Sequence, residues 1–366
     1  MLREYVLGHF VRTQLQYDTF KAPLNIKEAL KDHLSNLISE AIGIPEASSS
    51  SDFHITVDIV HSDAATEVTQ LPSIMTNKKY RPRGKQKIEI GCGTVLRALE
   101  AFQNLPDSIQ CPPKRLMNGA VSVIQIERDP VYIQGRYLKH KRGVSQTCWI
   151  LDGERLAERS VEECIANSVL PLFRGSGYKF HSAGREDVDV RMLGNGRPFI
   201  LEITNAESTS LNNEQCIQLE KAINKTNEGI VEVRDIQLTS KEHFACLQNG
   251  ADSKRKTYCC VIWSKAEITL EKVNSITKLS DLKIDQKTPV RVLHRRTLMN
   301  RPKIIHQINC EIINKHYMIV RLTTSAGTYV KEFIHGDRGR TQPNLSSFLG
   351  SDTDILQLDV ENLLEI

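Results

Sequence analysis

Apolar and polar residues follow regular patterns along this chain, and the character of the pattern changes near residue 115. Before that point, IKEALKDHLSNLISEAIG (26–43) has apolar residues at helical spacing, and FHITVDIVH (53–61) alternates as a strand does. The serine-rich stretch PEASSSSD (45–52) between them is typical of a loop. We therefore predict a small α/β unit over residues 1–115 and a second domain over residues 116–366.

The second domain mixes hairpin and helix signals. AVSVIQIE and VYIQGRYLK flank the break RDP, and DVDVRML and RPFILEIT flank GNG, so both pairs predict hairpins. Helices are predicted at about 160–174, where Ser160 and Glu163 have capping-box spacing, at about 212–225, and at YVKEFIHG (329–336). Further strands are predicted at GIVEVRDIQLT, KTYCCVIW, TPVRVLHRR, KIIHQINCEII and HYMIVRLTT. This combination is typical of an α+β fold.

Composition narrows the class of protein. The chain has 366 residues, of which 40% are hydrophobic and 25% charged, which suits a globular protein with a real core. No run of 18 or more apolar residues occurs, and the start lacks signal-peptide features, so we expect a cytosolic or nuclear protein. Nine cysteines are present without any CxxC pair, which argues against a zinc ribbon, and we expect no metal.

The net charge is only +4, but the basic residues are clustered. Any single cluster is typical of a solvated face. Several of them, interleaved with tyrosines, favour a polyanionic partner whose phosphates they would contact. The clusters are NKKYRPRGKQK (77–87), GRYLKHKRG (135–143), KRK (254–256) and KTPVRVLHRRTLMNRPK (287–303).

One motif suggests a different enzyme class. IEIGCGTVLRALEAFQ (88–103) has a short strand, a GxG turn and a helix, as in the loop that binds S-adenosylmethionine in Rossmann-type methyltransferases. Val95 stands where a third small residue is usual, and no acid-ended strand follows at the distance needed to hold a ribose. An RNA methyltransferase using this GCGT loop is therefore an alternative that the pattern disfavours.

Three acids lie close together in HSAGREDVDVRMLGNGRPF (181–199): Glu186, Asp187 and Asp189. Strand alternation would place Asp187, Asp189 and Arg191 on one face. A solvated polar face and a DxD site for a hard cation both remain open from this pattern alone.

Five motifs in order along the chain resemble one family. They are GRYLKHKRGVSQTCWILDGER, SVEECI, SAGREDVDVRMLGNGRPF, KIDQKTPVRVLHRR and AGTYVKEFIHGDRGRTQPN. Together they resemble the archaeal and eukaryotic tRNA pseudouridine synthase of the TΨC arm. The resemblance implies a pseudouridine synthase-like domain with a central mixed, mostly antiparallel sheet and flanking helices. It also implies an isomerase that converts uridine to pseudouridine at position 55 of the tRNA, without a cofactor. Position 54 is a second candidate.

The same resemblance implies roles for individual residues. Asp187, in GREDVDVR, matches the catalytic aspartate, and Lys331, in GTYVKEF, matches the basic residue paired with it. Arg185 is a second candidate cation, although in an extended chain it would point away from Asp187. Tyr258 and Tyr329 match residues that line the pocket of the target base.

The basic segments around the motifs are the predicted tRNA contacts. They comprise Lys139, Lys141, Arg142, Arg291, His294, Arg295 and Arg296. We expect a monomer whose partner is tRNA, with no membrane and no small-molecule cofactor. Residues 1–115 are predicted as an accessory RNA-binding unit, THUMP-like but short and without the paired CxxC ligands of eukaryotic relatives. A non-catalytic tRNA-binding protein is the remaining alternative.

Overall fold

The computed structural model describes residues 26–43, 51–61, 92–100, 109–113, 119–245, 255–294 and 296–364, with a few isolated positions elsewhere. The chain divides into two compact units, residues 1–127 and 128–366. The division lies later than the boundary predicted at 115, because a strand at 121–128 belongs with the first unit. The patterns at 45–50, 77–91 and 254 and the predicted contact Arg295 lie outside the described residues.

The first unit contains the helix and the strand predicted for it. Its described elements are α1 (Ile26–Ile42), β1 (Phe53–Val60), α2 (Cys92–Glu100) and β2 (Val121–Arg128). The predicted hairpin around RDP is wrong, because β2 pairs with β1 whereas β3 (Val131–Lys139) enters the large sheet of the second unit. Alternation shows that two segments are strands, but it does not show which strands they pair with.

The second unit is built on a ten-stranded sheet with the order β13-β10-β11-β12-β9-β14-β7-β3-β8, and β6 also pairs with β7. The pair β7/β14 is parallel, and the other pairs along this order are antiparallel. This confirms the predicted α+β class with a mixed, mostly antiparallel sheet. The remaining strands are β4 (Ile150–Leu151), β5 (Glu154–Arg155), β6 (Gly177–Ser182), β7 (Val190–Thr204), β8 (Val231–Thr239), β9 (Lys256–Ser264), β10 (Ser280–Lys287), β11 (Asn300–Ile312), β12 (Tyr317–Thr324), β13 (Thr341–Gln342) and β14 (Thr353–Leu363).

Helices flank this sheet and close its core. They are α3 (Val161–Phe173), α4 (Asn213–Thr226), α5 (Leu270–Thr277), α6 (Val330–His335) and α7 (Leu345–Leu349). The predicted capping box is confirmed, since the Ser160 hydroxyl accepts the Glu163 N–H at the start of α3. Buried side chains from both halves of the sheet form one continuous apolar cluster. Among the described residues, no helix has both the length and the apolarity to cross a bilayer.

The predicted hairpin at GNG is also wrong, because β7 runs without interruption from Val190 to Thr204. Gly194 and Gly196 have φ of +62° and +71°, and they form an irregularity inside this one strand. A Cβ on Gly194 would lie 2.0 Å from the Glu361 carbonyl oxygen, and one on Gly196 would lie 2.8 Å from the Tyr137 carbonyl oxygen. Glycine is therefore required at these positions because neighbouring backbone passes close to them. The two glycines do not reverse the direction of the chain.

TPVRVLHRR does not form the predicted strand. Strand β10 ends before it, at Lys287, and Val290–Val292 is a turn of 3₁₀ helix after Pro289. Asp337 Oδ2 accepts the Val290 N–H at 3.2 Å, and this contact from a distant segment fixes the turn. The strands β10 and β14 were not predicted from the sequence.

Candidate active site

The acidic motif lies in a loop, residues 183–189, between β6 and β7. The prediction that Asp187, Asp189 and Arg191 share one strand face is wrong, because the strand begins only at Val190. The Asp187 carbonyl accepts the Val190 N–H at 3.0 Å, which closes a turn just before the strand. Arg191 instead donates from Nε to Asp359 Oδ1 at 2.9 Å.

A buried charge pair supports this loop from below. Arg197 and Glu186 are 2% and 6% exposed, and Arg197 Nε lies 3.0 Å from Glu186 Oε2. Arg197 Nη1 also donates to the Ala183 carbonyl at 2.7 Å, and the Tyr137 hydroxyl donates to the Glu186 carboxylate at 3.0 Å. Gln146 Nε2 donates to the Gly184 carbonyl at 2.9 Å. The backbone of this loop is therefore held in place by hydrogen bonds to buried polar side chains.

Lys139 was predicted to contact tRNA, and the structure corrects this, because its side chain is fully buried. Its ammonium donates to the Val144 carbonyl at 2.8 Å and to the Asp187 carbonyl at 3.0 Å. Burial lowers the pKa of Lys139, and the charge of Glu186 opposes this shift. Lys139 holds the backbone of Asp187 and is not available to a phosphate.

Sequence reasoning missed these supporting residues, although a signal was present. Lys139 is in phase with the buried Ile133 and Tyr137 along β3, and Arg197 is in phase with the buried Phe199 along β7. A charged residue in register with core positions is expected to be buried and paired.

The Asp187 carboxylate emerges from this loop next to two cations. Arg291 Nη1 lies 3.0 Å from Asp187 Oδ2, and Lys331 Nζ lies 3.4 Å from the same oxygen. The side chain of Asp187 remains 37% exposed. The site thus combines an accessible carboxylate with two fixed cations that can orient it.

Lys331 is closer to Asp189 than to its predicted partner. Lys331 Nζ lies 2.7 Å from Asp189 Oδ2, so one ammonium serves both carboxylates. Burial raises the pKa of Asp189, but the hydrogen bond and charge of Lys331 outweigh that effect and leave the pKa lowered. Asp189 is therefore paired with Lys331, whereas Arg191 pairs with Asp359.

This shift gives a pH-dependent expectation. A carboxyl whose pKa falls on folding stabilises the protein above its unfolded pKa, ordinarily 3.8 for aspartate, and loses that contribution as the pH falls through the folded pKa. Asp189→Asn should therefore lower Tm modestly at pH 7, and the difference from wild type should close in acid. Asp352→Asn, which removes an 81% exposed partner of Lys265, is the control. Equal differences at pH 7 and in acid would contradict the expectation.

The cations reach Asp187 from two segments that are locked together. Gln286, at the end of β10, accepts the Tyr329 N–H at 2.9 Å and donates to the Tyr329 carbonyl at 2.9 Å. Tyr329 is the N-cap of α6, without a capping hydrogen bond from its side chain. The Thr328 hydroxyl donates to the Ser325 carbonyl at 2.8 Å, and Gly327 makes the tight entry to α6 with φ of +69°.

Both predicted base-pocket tyrosines are half-buried. Tyr258 lies on β9 opposite Leu322 of β12 and Val360 of β14. Burial raises the pKa of Tyr258 to about 12, and the charge of Arg197 acts in the opposite direction. Tyr258 therefore feels the charge of Arg197, which belongs to the buried pair beneath the loop at residues 183–189. It remains a neutral phenol at physiological pH.

The other predicted cations differ in their availability. Lys141, Arg185, His294 and Arg296 are exposed. Arg142 donates to the Asp189 and Leu358 carbonyls at 2.7 Å each and pairs with Asp359, so it is engaged within the fold.

The structure gives little support to the two alternative sites, the S-adenosylmethionine loop and the DxD metal site. Gly93 of the GCGT motif lies inside α2, whereas a loop that binds S-adenosylmethionine needs it in the turn before the helix. At the DxD pattern, both carboxylates face protein cations. Within the described part of the chain, no group of three or more His, Cys, Asp or Glu side chains is placed to hold a metal ion.

Comparison with known proteins assigns the family. Residues 132–363 match the family model described as "Pus10, C-terminal". The chain therefore belongs to the Pus10 family, and the match covers the sheet and the loop described above.

Named relatives agree with this assignment. The chain is 39% identical over 344 residues to mouse tRNA pseudouridine synthase Pus10, covering 93% of this chain and 64% of the mouse protein. It is 34% identical to the putative tRNA pseudouridine synthase Pus10 of Drosophila melanogaster, covering 92% of this chain and 68% of that protein. The Thermofilum pendens tRNA pseudouridine synthase Pus10 is 38% identical over 85% of this chain and 64% of its own length. The chain thus spans just under two thirds of the mouse and archaeal relatives.

The chain also has a distant likeness to a solved structure. A chain in the crystal structure of a Cbf5-Nop10-Gar1 complex matches 63% of this chain and 48% of its own length, with 14% identity and a TM-score of 0.33. No correspondence between residues follows from a likeness at this level.

Proposed function

We propose that this protein is an isomerase that converts uridine to pseudouridine in the TΨC arm of tRNA, at position 55, with position 54 as a second candidate. The observation that carries the proposal is the Asp187 carboxylate, accessible on a rigid loop and faced by Arg291 and Lys331. Membership in the Pus10 family, whose relatives are named tRNA pseudouridine synthases, supports the same reaction.

The reaction requires little from the protein beyond a nucleophile and the correct positioning of the uridine. The bond between N1 of uracil and C1′ of ribose breaks, the detached base turns, and a bond forms between C5 and C1′. The proton on C5 is lost to solvent and N1 gains one, so atoms and charge balance without a redox partner or group donor. An aspartate carboxylate can act as covalent nucleophile toward either the sugar or the base, and we assign that role to Asp187. We propose no cofactor.

A uridine inside a folded tRNA must leave its stack before a carboxylate can reach it. Tyr258 and Tyr329 are proposed to line the pocket that receives the flipped base, and stacking on an aromatic ring is worth about 1–3 kcal/mol per base. The half-buried position of both rings supports this role, since each keeps one part accessible.

Exposed basic residues are proposed to contact the tRNA backbone. Lys141, Arg185, His294 and Arg296 are exposed and suit this role, whereas Arg295 lies outside the described residues. Contacts of this kind position the RNA and depend on salt. An RNA-binding role for residues 1–115, a monomeric state and a cytoplasmic or nuclear location belong to the same proposal.

The direct test uses tRNA transcripts labelled with tritium at uracil C5. Wild-type protein should release tritium from a transcript with an intact TΨC arm, and a U55C transcript should lose most of that release. A remaining release that disappears in a U54C/U55C transcript would assign position 54 as well. No release from any labelled tRNA would overturn the proposal.

The same preparation separates the rival functions. A methyltransferase would transfer label from methyl-labelled S-adenosylmethionine to tRNA, and a non-catalytic RNA-binding protein would retain tRNA on a filter without either release or transfer. We expect retention and tritium release, with no methyl transfer.

A further inference from the structure

We infer that Arg291 is a positioning residue for the nucleophile Asp187 and that the buried Glu332 holds it there. Arg291 belongs to the basic segment 287–303, for which the sequence predicts tRNA contacts, but its guanidinium contacts these two acids, and its side chain is 39% exposed. The inference rests on the proposed function, since it assigns Arg291 a part in that reaction.

The guanidinium bridges the two acids with different nitrogens. Nε lies 2.7 Å from Glu332 Oε1, and Nη1 lies 3.0 Å from Asp187 Oδ2. Because the guanidinium is planar and rigid, fixing one edge on Glu332 also fixes the direction of the donor that reaches Asp187. A lysine would offer one nitrogen in place of the two that Arg291 uses, without the planar geometry that fixes their directions.

Glu332 makes departure of Arg291 costly. Its side chain is 2% exposed, and Oε2 is buried without a hydrogen-bond partner among the described residues. Burial lowers the pKa of Arg291, but the hydrogen bond and charge of Glu332 outweigh this and leave the pKa raised. Moving Arg291 to an RNA phosphate would leave a buried carboxylate without its cation, which is strongly unfavourable.

The backbone that carries Arg291 is also fixed. The Val290 N–H donates to Asp337 Oδ2 at 3.2 Å, and Arg340 Nη2 donates to the Thr288 carbonyl at 2.7 Å. Asp337 and Arg340 follow α6 in the chain, and α6 carries Lys331 and Glu332. The backbone just before Arg291 is therefore tied to the segment that follows α6, and its side chain is tied to Glu332 within α6.

The two cations around Asp187 then have different tasks. Lys331 lies closer to Asp189, at 2.7 Å, than to Asp187, at 3.4 Å. Arg291 makes the shorter ionic contact to Asp187, at 3.0 Å. We assign the orientation of the nucleophile mainly to Arg291. Lys331 is shared between Asp187 and Asp189, and we assign to it the balancing of the negative charge of the loop.

Arg291→Lys separates positioning from phosphate binding, because lysine keeps the charge and binds phosphate but lacks the rigid fork that directs separate nitrogens to the two acids. We expect kcat for tritium release to fall about 10²-fold, the cost of a nucleophile displaced by about 1 Å, while KM for tRNA changes less than about threefold. Arg321→Lys is the matched control, since Arg321 also lies between two carboxylates, Glu361 at 3.3 Å and Glu311 at 3.7 Å. That control should leave kcat unchanged.

A second variant allows a measurement that would show no change if the role of Arg291 were purely structural. Arg291→Ala should recover part of its kcat when guanidinium ion is added at millimolar concentration, whereas Arg321→Ala should not respond. Thermal unfolding of each variant shows whether it is folded in the assay. Recovery at constant KM supports the bridge to Asp187.

The outcomes separate the two proposals. Wild-type protein without tritium release overturns the proposed function and this inference with it. Active wild-type protein with a folded Arg291→Lys variant of normal kcat overturns the inference alone. A raised KM with a shallower salt dependence of tRNA binding would do the same, because it would make Arg291 a phosphate contact after all.

Discussion

Replacement of Arg197 by methionine is expected to lower the free energy of unfolding by about 3–5 kcal/mol, because it leaves the buried Glu186 carboxylate without its cation. Arg197 is 2% exposed and contributes both the ion pair at 3.0 Å and the bond to the Ala183 carbonyl at 2.7 Å. Lys139, at 3.9 Å from Glu186, is too distant to replace it fully. The measurement is the urea midpoint and slope of the variant against wild type.

Arg174→Met is the matched control, since Arg174 and Glu207 pair at 3.4 Å with side chains 76% and 53% exposed. Loss of an exposed pair costs about 0–1 kcal/mol. Adding Glu186→Gln to Arg197→Met should recover part of the loss, because it removes the stranded charge. If Arg197→Met costs no more than Arg174→Met, the buried pair does not support the loop as described.

Elements with local signals could be predicted from the sequence. The helix α3 begins where Ser160 and Glu163 place a capping box, and α6 begins after the glycine at 327 and ends at His335, with Gly336 as its C-cap. These signals act within one turn of backbone, so no knowledge of the rest of the fold is needed. The same is true of alternating strands such as β9 and β12.

Features set by distant contacts could not be predicted. GNG has the composition of a turn, but the carbonyls of Glu361 and Tyr137 pass so close that the glycines serve a continuous strand. TPVRV has the composition of a strand, yet Pro289 and the contact from Asp337 turn it into 3₁₀ helix. In both cases the decisive partner lies far away in the sequence.

The candidate site shows the same division. The motif GREDVDVR singled out Asp187, although the strand expected there is a loop, and the motif GTYVKEF singled out Lys331, which the structure brings to 3.4 Å from it. The role of Arg291 could not be predicted, because a basic segment has the same composition whether its first arginine faces RNA or a buried acid. Composition indicates the presence of charge, and only the fold shows where the charge is directed.

The central claim is that Asp187 is the nucleophile, and Asp187→Asn tests it most directly. Asparagine keeps the size of the side chain but cannot form the covalent bond. The rate should therefore fall by at least about 10³-fold, as when other enzymes lose a nucleophile. Binding of tRNA, measured by filter retention, should change less than about threefold, since the exposed basic residues remain. Asp189→Asn, which removes the acid that shares Lys331, should lose less than about tenfold in rate.

The measurement is single-turnover tritium release from C5-labelled tRNA by wild type, Asp187→Asn and Asp189→Asn, each shown to be folded. If Asp187 is the nucleophile, wild type and Asp189→Asn should release tritium, and Asp187→Asn should release none above background. Release by Asp187→Asn at the wild-type rate would contradict that assignment.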